Sequence, residues 1–250
     1  MDKLYGIVLT LISGLFFLLG GLISIKVRNK DKLNAFSISL AFIIILNLIF
    51  IDLIPEINEL LEGFKTGLRI GIIIIFTILG VLLLKILDIF IPDHHHDHHD
   101  DEKNIEEHNR HVKHIGVLTL ISLVLHNIVE GFAIFGMTLN DFKLGLLISL
   151  SVALHNIPLG THIFSSMDIK KNKLLIGVLT LSSLLGGLIF LLVGEVSSIV
   201  LAIITCITLG MLIYIVVLEL IPEMLTNIKK KETILGIIIG LIILTISLFI

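Results

Sequence analysis

His126-Asn127-Ile128-Val129-Glu130-Gly131 and His155-Asn156-Ile157-Pro158-Leu159-Gly160 are two copies of one hexapeptide, each set inside a long apolar run. Runs of about 20 apolar residues are long enough to cross a bilayer as helices. On a helix, His126 and Glu130 share a face, and so do His155, Leu159 and His162. An imidazole, a carboxylate or an amide in hydrocarbon is costly unless it pairs, lines water or binds an ion. Taken singly, each of these side chains could serve only to pack or cap a helix. Two such copies together predict a cation site shared by neighbouring membrane helices.

The rest of the chain fits that setting. Mean hydropathy is +1.08 and 16% of residues are charged, against about 25% in soluble domains, which excludes the soluble fold classes. Apolar runs cover residues 4–25, 33–54, 67–91, 115–139, 143–167, 173–194, 198–222 and 232–250, which predicts eight transmembrane helices and an all-α polytopic membrane protein. The first run is too long for the apolar region of a signal peptide and is read as a span. Four regions follow: 1–91 with spans one to three, a His-rich cytoplasmic loop over 92–114, a central metal-binding pair over 115–167, and spans six to eight over 168–250. The single cysteine, Cys206, rules out an internal disulfide or a cysteine zinc cluster.

Basic residues set the expected orientation. Lys26, Arg28, Lys30 and Lys32 lie after span one, Lys103, Arg110 and Lys113 after span three, Lys170, Lys171 and Lys173 after span five, and Lys229, Lys230 and Lys231 after span seven. The alternate gaps hold only Lys65, Arg69 and Lys143. The odd gaps are therefore expected inside, with both termini outside. A second repeat supports a larger symmetry. Asp52-Leu53-Ile54-Pro55-Glu56 ends span two and Glu219-Leu220-Ile221-Pro222-Glu223 ends span seven. Three spans, a central antiparallel pair and three more spans form a 3+2+3 inverted-repeat arrangement, a pattern suited to alternating access. Each proline, taken alone, could simply stop a helix. Asp52 and Glu219 either line an entrance and an exit or mark helix ends.

Eight of the 11 histidines lie in the polar loop: His94, His95, His96, His98, His99, His108, His111 and His114. Interleaved with aspartate and glutamate, they suggest a cytoplasmic metal buffer or sensor; the plainer reading is a solvated linker.

At these residues the sequence resembles the ZIP family of divalent-metal transporters, particularly its prokaryotic branch. A further match is Gly210-Met-Leu-Ile-Tyr214-Ile-Val-Val-Leu-Glu219-Leu-Ile-Pro-Glu223. The resemblance implies eight transmembrane helices, a His-rich cytoplasmic loop after the third, and metal ligands on the fourth and fifth. It carries His126, Glu130 and His155 over to a first metal site, and Asn127 and Asn156 to a second site beside it. Two positions depart from the family pattern. Leu159 stands where many members have glutamate. Ser182-Ser183-Leu184-Leu185-Gly186-Gly187 replaces a Ser-Gly-Leu-Val-Glu-Pro stretch, so Gly186 occupies a glutamate position. Both departures remove negative charge, so a single-metal centre is expected, with His162 as a stand-in for the lost ligand.

Neutral imidazoles with one carboxylate suit Zn²⁺, with Fe²⁺, Mn²⁺ and Co²⁺ as alternatives. The resemblance thus implies a multi-pass plasma-membrane importer of a divalent transition metal. The ion is its transported substrate and the lipid bilayer its surroundings, with no nucleic-acid partner and a homodimer left open. The rival readings are an intramembrane zinc hydrolase and a metal sensor that does not transport. The hydrolase needs a general base; no His-Glu-x-x-His motif is present and Glu130 is needed as a ligand, so the chain is not expected to be an enzyme. No phosphate-binding loop for ATP is present either.

Overall fold

A computed structural model describes residues 2–27, 29–90, 101–167, 172–194 and 196–247, with residues 101–115 described by backbone alone. All regular structure among them is helical. We number the long helices α1 (Asp2–Lys26), α2 (Lys30–Asn47, continuing through Leu48–Leu53 and Ile54–Leu60), α3 (Thr66–Phe90), α4 (Asp101–Asn140), α5 (Phe142–Ser166), α6 (Lys173–Val193), α7 (Ser198–Tyr214, continuing through Ile215–Leu220 and Ile221–Thr226) and α8 (Lys231–Ser247). Seven helices among the described residues are long and apolar enough to cross a membrane. The expected eighth span runs to residue 250, of which α8 describes the part through Ser247. Helices suit a bilayer because each satisfies its own backbone polar groups where no water can.

Two boundaries differ from the sequence expectation. The segment over 92–114, expected as a loop, is helical in its backbone from Asp101 onward and runs straight into α4. Its glutamate, lysine and arginine residues are good helix formers, and joining a long apolar helix removes the cost of nucleating a separate one. His94, His95, His96, His98 and His99 lie outside the described residues. For His108, His111 and His114 only the helical backbone is described.

The second difference lies at the two prolines. Neither Pro55 nor Pro222 ends its helix. Each is preceded by a six-residue π-helical stretch, Leu48–Leu53 and Ile215–Leu220, after which α-helix resumes to Leu60 and to Thr226. The Ile54 N–H reaches the Ile49 carbonyl and the Ile221 N–H reaches that of Val216, five residues back in both copies. A proline lacks an N–H and crowds the carbonyl four residues earlier. Widening the turn just before it accommodates the ring without stopping the helix. Asp52 and Glu219 occupy the same place in their π stretches, so one sequence motif yields one local structure twice.

Packing divides the helices into two sets. α1 packs along α5 and α6, while α4 packs along α6 and α5; α8 packs on α2, and α3 on α7. Glycines permit the closest of these approaches. An added Cβ would lie 2.1 Å from the Ile157 carbonyl oxygen at Gly20 and 2.3 Å from that of Phe17 at Gly160. At Gly131 it would lie 1.9 Å from the Ser183 carbonyl oxygen, and at Gly186 2.0 Å from that of Ile128. The α1–α5 and α4–α6 interfaces are therefore built alike, each using the hexapeptide's final glycine and the carbonyl of its isoleucine. Small residues allow this because helices in lipid associate by packing and polar contacts rather than by the hydrophobic effect.

The core where the sets meet is apolar, with Phe17, Ile44, Leu48, Leu118, Leu159 and Leu212 wholly buried. Ile74, Ile75 and Ile78 of α3 are exposed, as expected of a helix facing lipid. Most buried hydroxyls are satisfied within their own helix. Thr10 donates to the Gly6 carbonyl at 2.9 Å, Thr138 to that of Ile134 at 2.6 Å and Thr180 to that of Ile176 at 2.8 Å. This back-bonding lets polar residues sit inside a membrane bundle.

Candidate metal centre

The two hexapeptides lie on α4 and α5, and the antiparallel pair brings their histidines to the same depth. The His126 and His155 ring centroids are 6.2 Å apart. Glu130 sits between them. Its Oε1 lies 3.1 Å from His126 Nε2 and 3.1 Å from His155 Nε2. The 3.1 Å approach of His126 to Glu130 is the four-residue helical spacing read from the sequence, whereas the approach of His155 is made across the interface. Ligand atoms of all three lie within 4.8 Å of one another, the one such histidine and acid cluster among the described residues.

His126 and His155 are buried, and the Glu130 side chain is 13% exposed. Its second oxygen, Oε2, is buried without a hydrogen-bond partner. An unpartnered carboxylate oxygen beside two imidazoles in a membrane interior is an unstable arrangement by itself, because isolated buried charge is expensive. A divalent cation between the three groups would satisfy them together, and the nitrogen and oxygen donors fit a borderline metal.

A cavity of about 250 Å³ adjoins the cluster, lined among others by Asp52, Glu56, His126, Glu130, Ser151 and His155. At about 30 Å³ per water, that volume admits an ion with part of its hydration shell. Asp52 thus reaches the same space as the three ligands, which its place in the sequence alone did not determine. Glu56, which with Glu59 and Glu62 reads from the sequence as an acidic outer vestibule or an ordinary solvated face, lines this cavity, as does Ser151, which the sequence reading did not single out. Their signal was helical spacing: Glu56 is one turn beyond Asp52, and Ser151 one turn before His155. A second cavity of about 200 Å³ is also bordered by Asp52 and His155, together with Asn47, Leu154 and Pro158. Pro158 lies within α5, which continues past it.

The other predicted residues lie elsewhere. Asn156 is buried and its Nδ2 donates to the Ser13 carbonyl of α1 at 3.0 Å, which ties α5 to α1. Its Oδ1 has no partner, and neither side-chain atom of the wholly buried Asn127 has one. His162 is wholly buried but does not join the cluster of His126, Glu130 and His155. Glu219 is buried on α7, also outside that cluster; nearby in sequence, Tyr214 donates to Asp88 Oδ2 at 2.6 Å.

The two positions expected to depart from the family pattern are both buried. Leu159 is wholly buried in the apolar core. Gly186 lies where α6 touches the α4 backbone at Ile128, so no side chain fits there without moving a helix.

Comparison with known proteins identifies the family. The family model described as ZIP Zinc transporter matches residues 91–247, which include all three cluster residues. The chain is 30% identical over 256 residues to a protein named Zinc transporter ZupT from Streptococcus mutans serotype c, covering 96% of this chain and 95% of that one. The chain belongs to the ZIP family. A ZupT from Corynebacterium glutamicum is 31% identical over 98% of both chains, and one from Escherichia coli O7:K1 is 30% identical over 86% of this chain and 85% of that one. This ZIP-family chain therefore aligns with the first two of those relatives over nearly its whole length.

Proposed function

We propose that this protein imports a divalent transition-metal ion, Zn²⁺ foremost, across the plasma membrane toward the cytoplasm, through a single-metal site formed by His126, Glu130 and His155. The observation that carries the reading is the convergence of two imidazoles and one carboxylate from α4 and α5 beside a polar cavity inside an apolar bundle. The relatives' printed name, Zinc transporter, supports zinc as the substrate. Three protein ligands with water completing the shell form a loose site, which transport requires because a tightly caged ion would not leave.

Asp52 serves as an entrance group in this reading. It borders the cavity that the ligands line and attracts a cation toward them. The chain is a 3+2+3 inverted repeat with both termini outside. Three features support this: the basic residues of the odd gaps, the matched π stretches before Pro55 and Pro222, and the like glycine contacts of the α1–α5 and α4–α6 interfaces. Those contacts join α1, α4, α5 and α6 into one packed unit that carries the ligands. Sliding that unit against the remaining helices would move the ion between the two sides.

Purified protein in liposomes tests the reading directly. Zn²⁺ influx is expected in the intact protein and absent from His126→Ala and Glu130→Ala. Influx at the intact rate in both variants would remove the cluster from the mechanism.

A further inference from the structure

His162 lies two helical turns beyond His155 on α5 and is wholly buried, and neither ring nitrogen has a hydrogen-bond partner. Residues 155, 159, 162 and 166 form one stripe on α5, and residues 119, 122, 126 and 130 form one stripe on α4. The stripes meet at both ends. His126 lies by His155, and an added Cβ on Gly116 would lie 2.7 Å from the Ser166 Cβ. Between these ends, Thr119 and Ser122 of α4 are wholly buried, and their hydroxyls also lack partners. They differ in this from the back-bonded Thr10, Thr138 and Thr180. On α5, Leu159 is wholly apolar and separates the two histidines.

Hydroxyls cluster on the turn that follows His162. Its carbonyl accepts from Ser165 Oγ at 2.8 Å and from Ser166 Oγ at 2.9 Å, and Ser165 Oγ lies 2.8 Å from Ser37 Oγ on α2. An imidazole with both nitrogens unpaired in a membrane interior is costly unless something binds there. We propose that His162, with the hydroxyls of Thr119 and Ser122, forms a second divalent-cation station inward of the Leu159 plug, which receives the metal ion released by the outer cluster. This rests on the transport reading above. A neutral imidazole supplies one strong ligand, and hydroxyls and water supply weak ones. The station would therefore hold the ion loosely and pass it on.

The test uses the full chain, with Zn²⁺ and Cd²⁺ as probes. By calorimetry His162→Leu is expected to take up one weaker Zn²⁺ equivalent fewer than the intact protein. At saturating Zn²⁺, His162→Leu is expected to slow flux into liposomes about tenfold, with the tighter equivalent unchanged. Equal stoichiometry and equal flux in His162→Leu would overturn the inference. A second variant guards against misfolding. In a Cys206→Ser background, His162→Cys should give a cadmium–thiolate absorption band on adding Cd²⁺; absence of the band from a folded variant would also overturn it. Loss of influx in His126→Ala alongside intact behaviour in His162→Leu would sink this inference alone. Intact influx in His126→Ala would sink the transport reading itself.

Discussion

Replacing Gly186 by alanine adds only one methyl group, yet the structure places it against the stretch of α4 that carries His126 and Glu130. The new Cβ would lie 2.0 Å from the Ile128 carbonyl oxygen and 2.8 Å from the Phe132 nitrogen, where ordinary contact begins at 3.4 Å. The first distance is about 1.4 Å short, and the obstacle is backbone, which cannot rotate away. α6 and α4 must separate, at a cost of about 1–3 kcal/mol by analogy with overpacked cores. Ile128 lies between His126 and Glu130 on α4, so displacing it moves both ligands. A ligand shift of about 1 Å can cost about a hundredfold in rate where geometry is tight. Gly177 is the internal control. It lies on the same helix with nothing within 4 Å of an added Cβ, so alanine there should be neutral or stabilise by about 0.5–1 kcal/mol through helix propensity. The assay is thermal unfolding in detergent beside Zn²⁺ flux in liposomes. Gly186→Ala should melt earlier and carry less zinc, and Gly177→Ala should do neither. If Gly186→Ala melts and transports like the intact chain, α4 is not held by that contact.

Three further outcomes are expected. Glu130→Gln keeps the side-chain volume but removes the charge shared by the two imidazoles; uptake of radioactive zinc should be lost while the protein remains in the membrane fraction. Zinc binding should weaken as pH falls from about 7 to about 5, because a protonated imidazole cannot ligate and metal binding must then displace the proton; titration calorimetry at the two pH values measures this, and binding strength independent of pH would argue against histidine ligation. Deleting residues 93–100, which carry His94, His95, His96, His98 and His99, should leave basal zinc flux intact while lowering metal binding by the whole chain; loss of basal flux would give that segment a transport role.

The helical membrane fold was legible because hydrocarbon allows few solutions. Every backbone polar group must be satisfied within its own segment, so a long apolar run is nearly sufficient to specify a helix. The His126–Glu130 pairing was legible for a related reason: four-residue spacing on a helix is local geometry. The continuation of α2 and α7 past Pro55 and Pro222 was not legible. A proline shows what a helix must avoid but not whether a π turn will absorb it, and that depends on what the following turn packs against.

The sequence by itself determined which residues could ligate and which faces they share, because both follow from side-chain chemistry and helical period. Only the tertiary structure decided which faces meet. It placed His155 against Glu130, kept His162 out of that cluster, put Leu159 in the core and set Gly186 against the α4 backbone. Helix-to-helix register in a bilayer is set by where small residues let backbones touch. That depends on pairs of positions far apart in the chain, such as Gly131 with Ser183, and no local pattern encodes it.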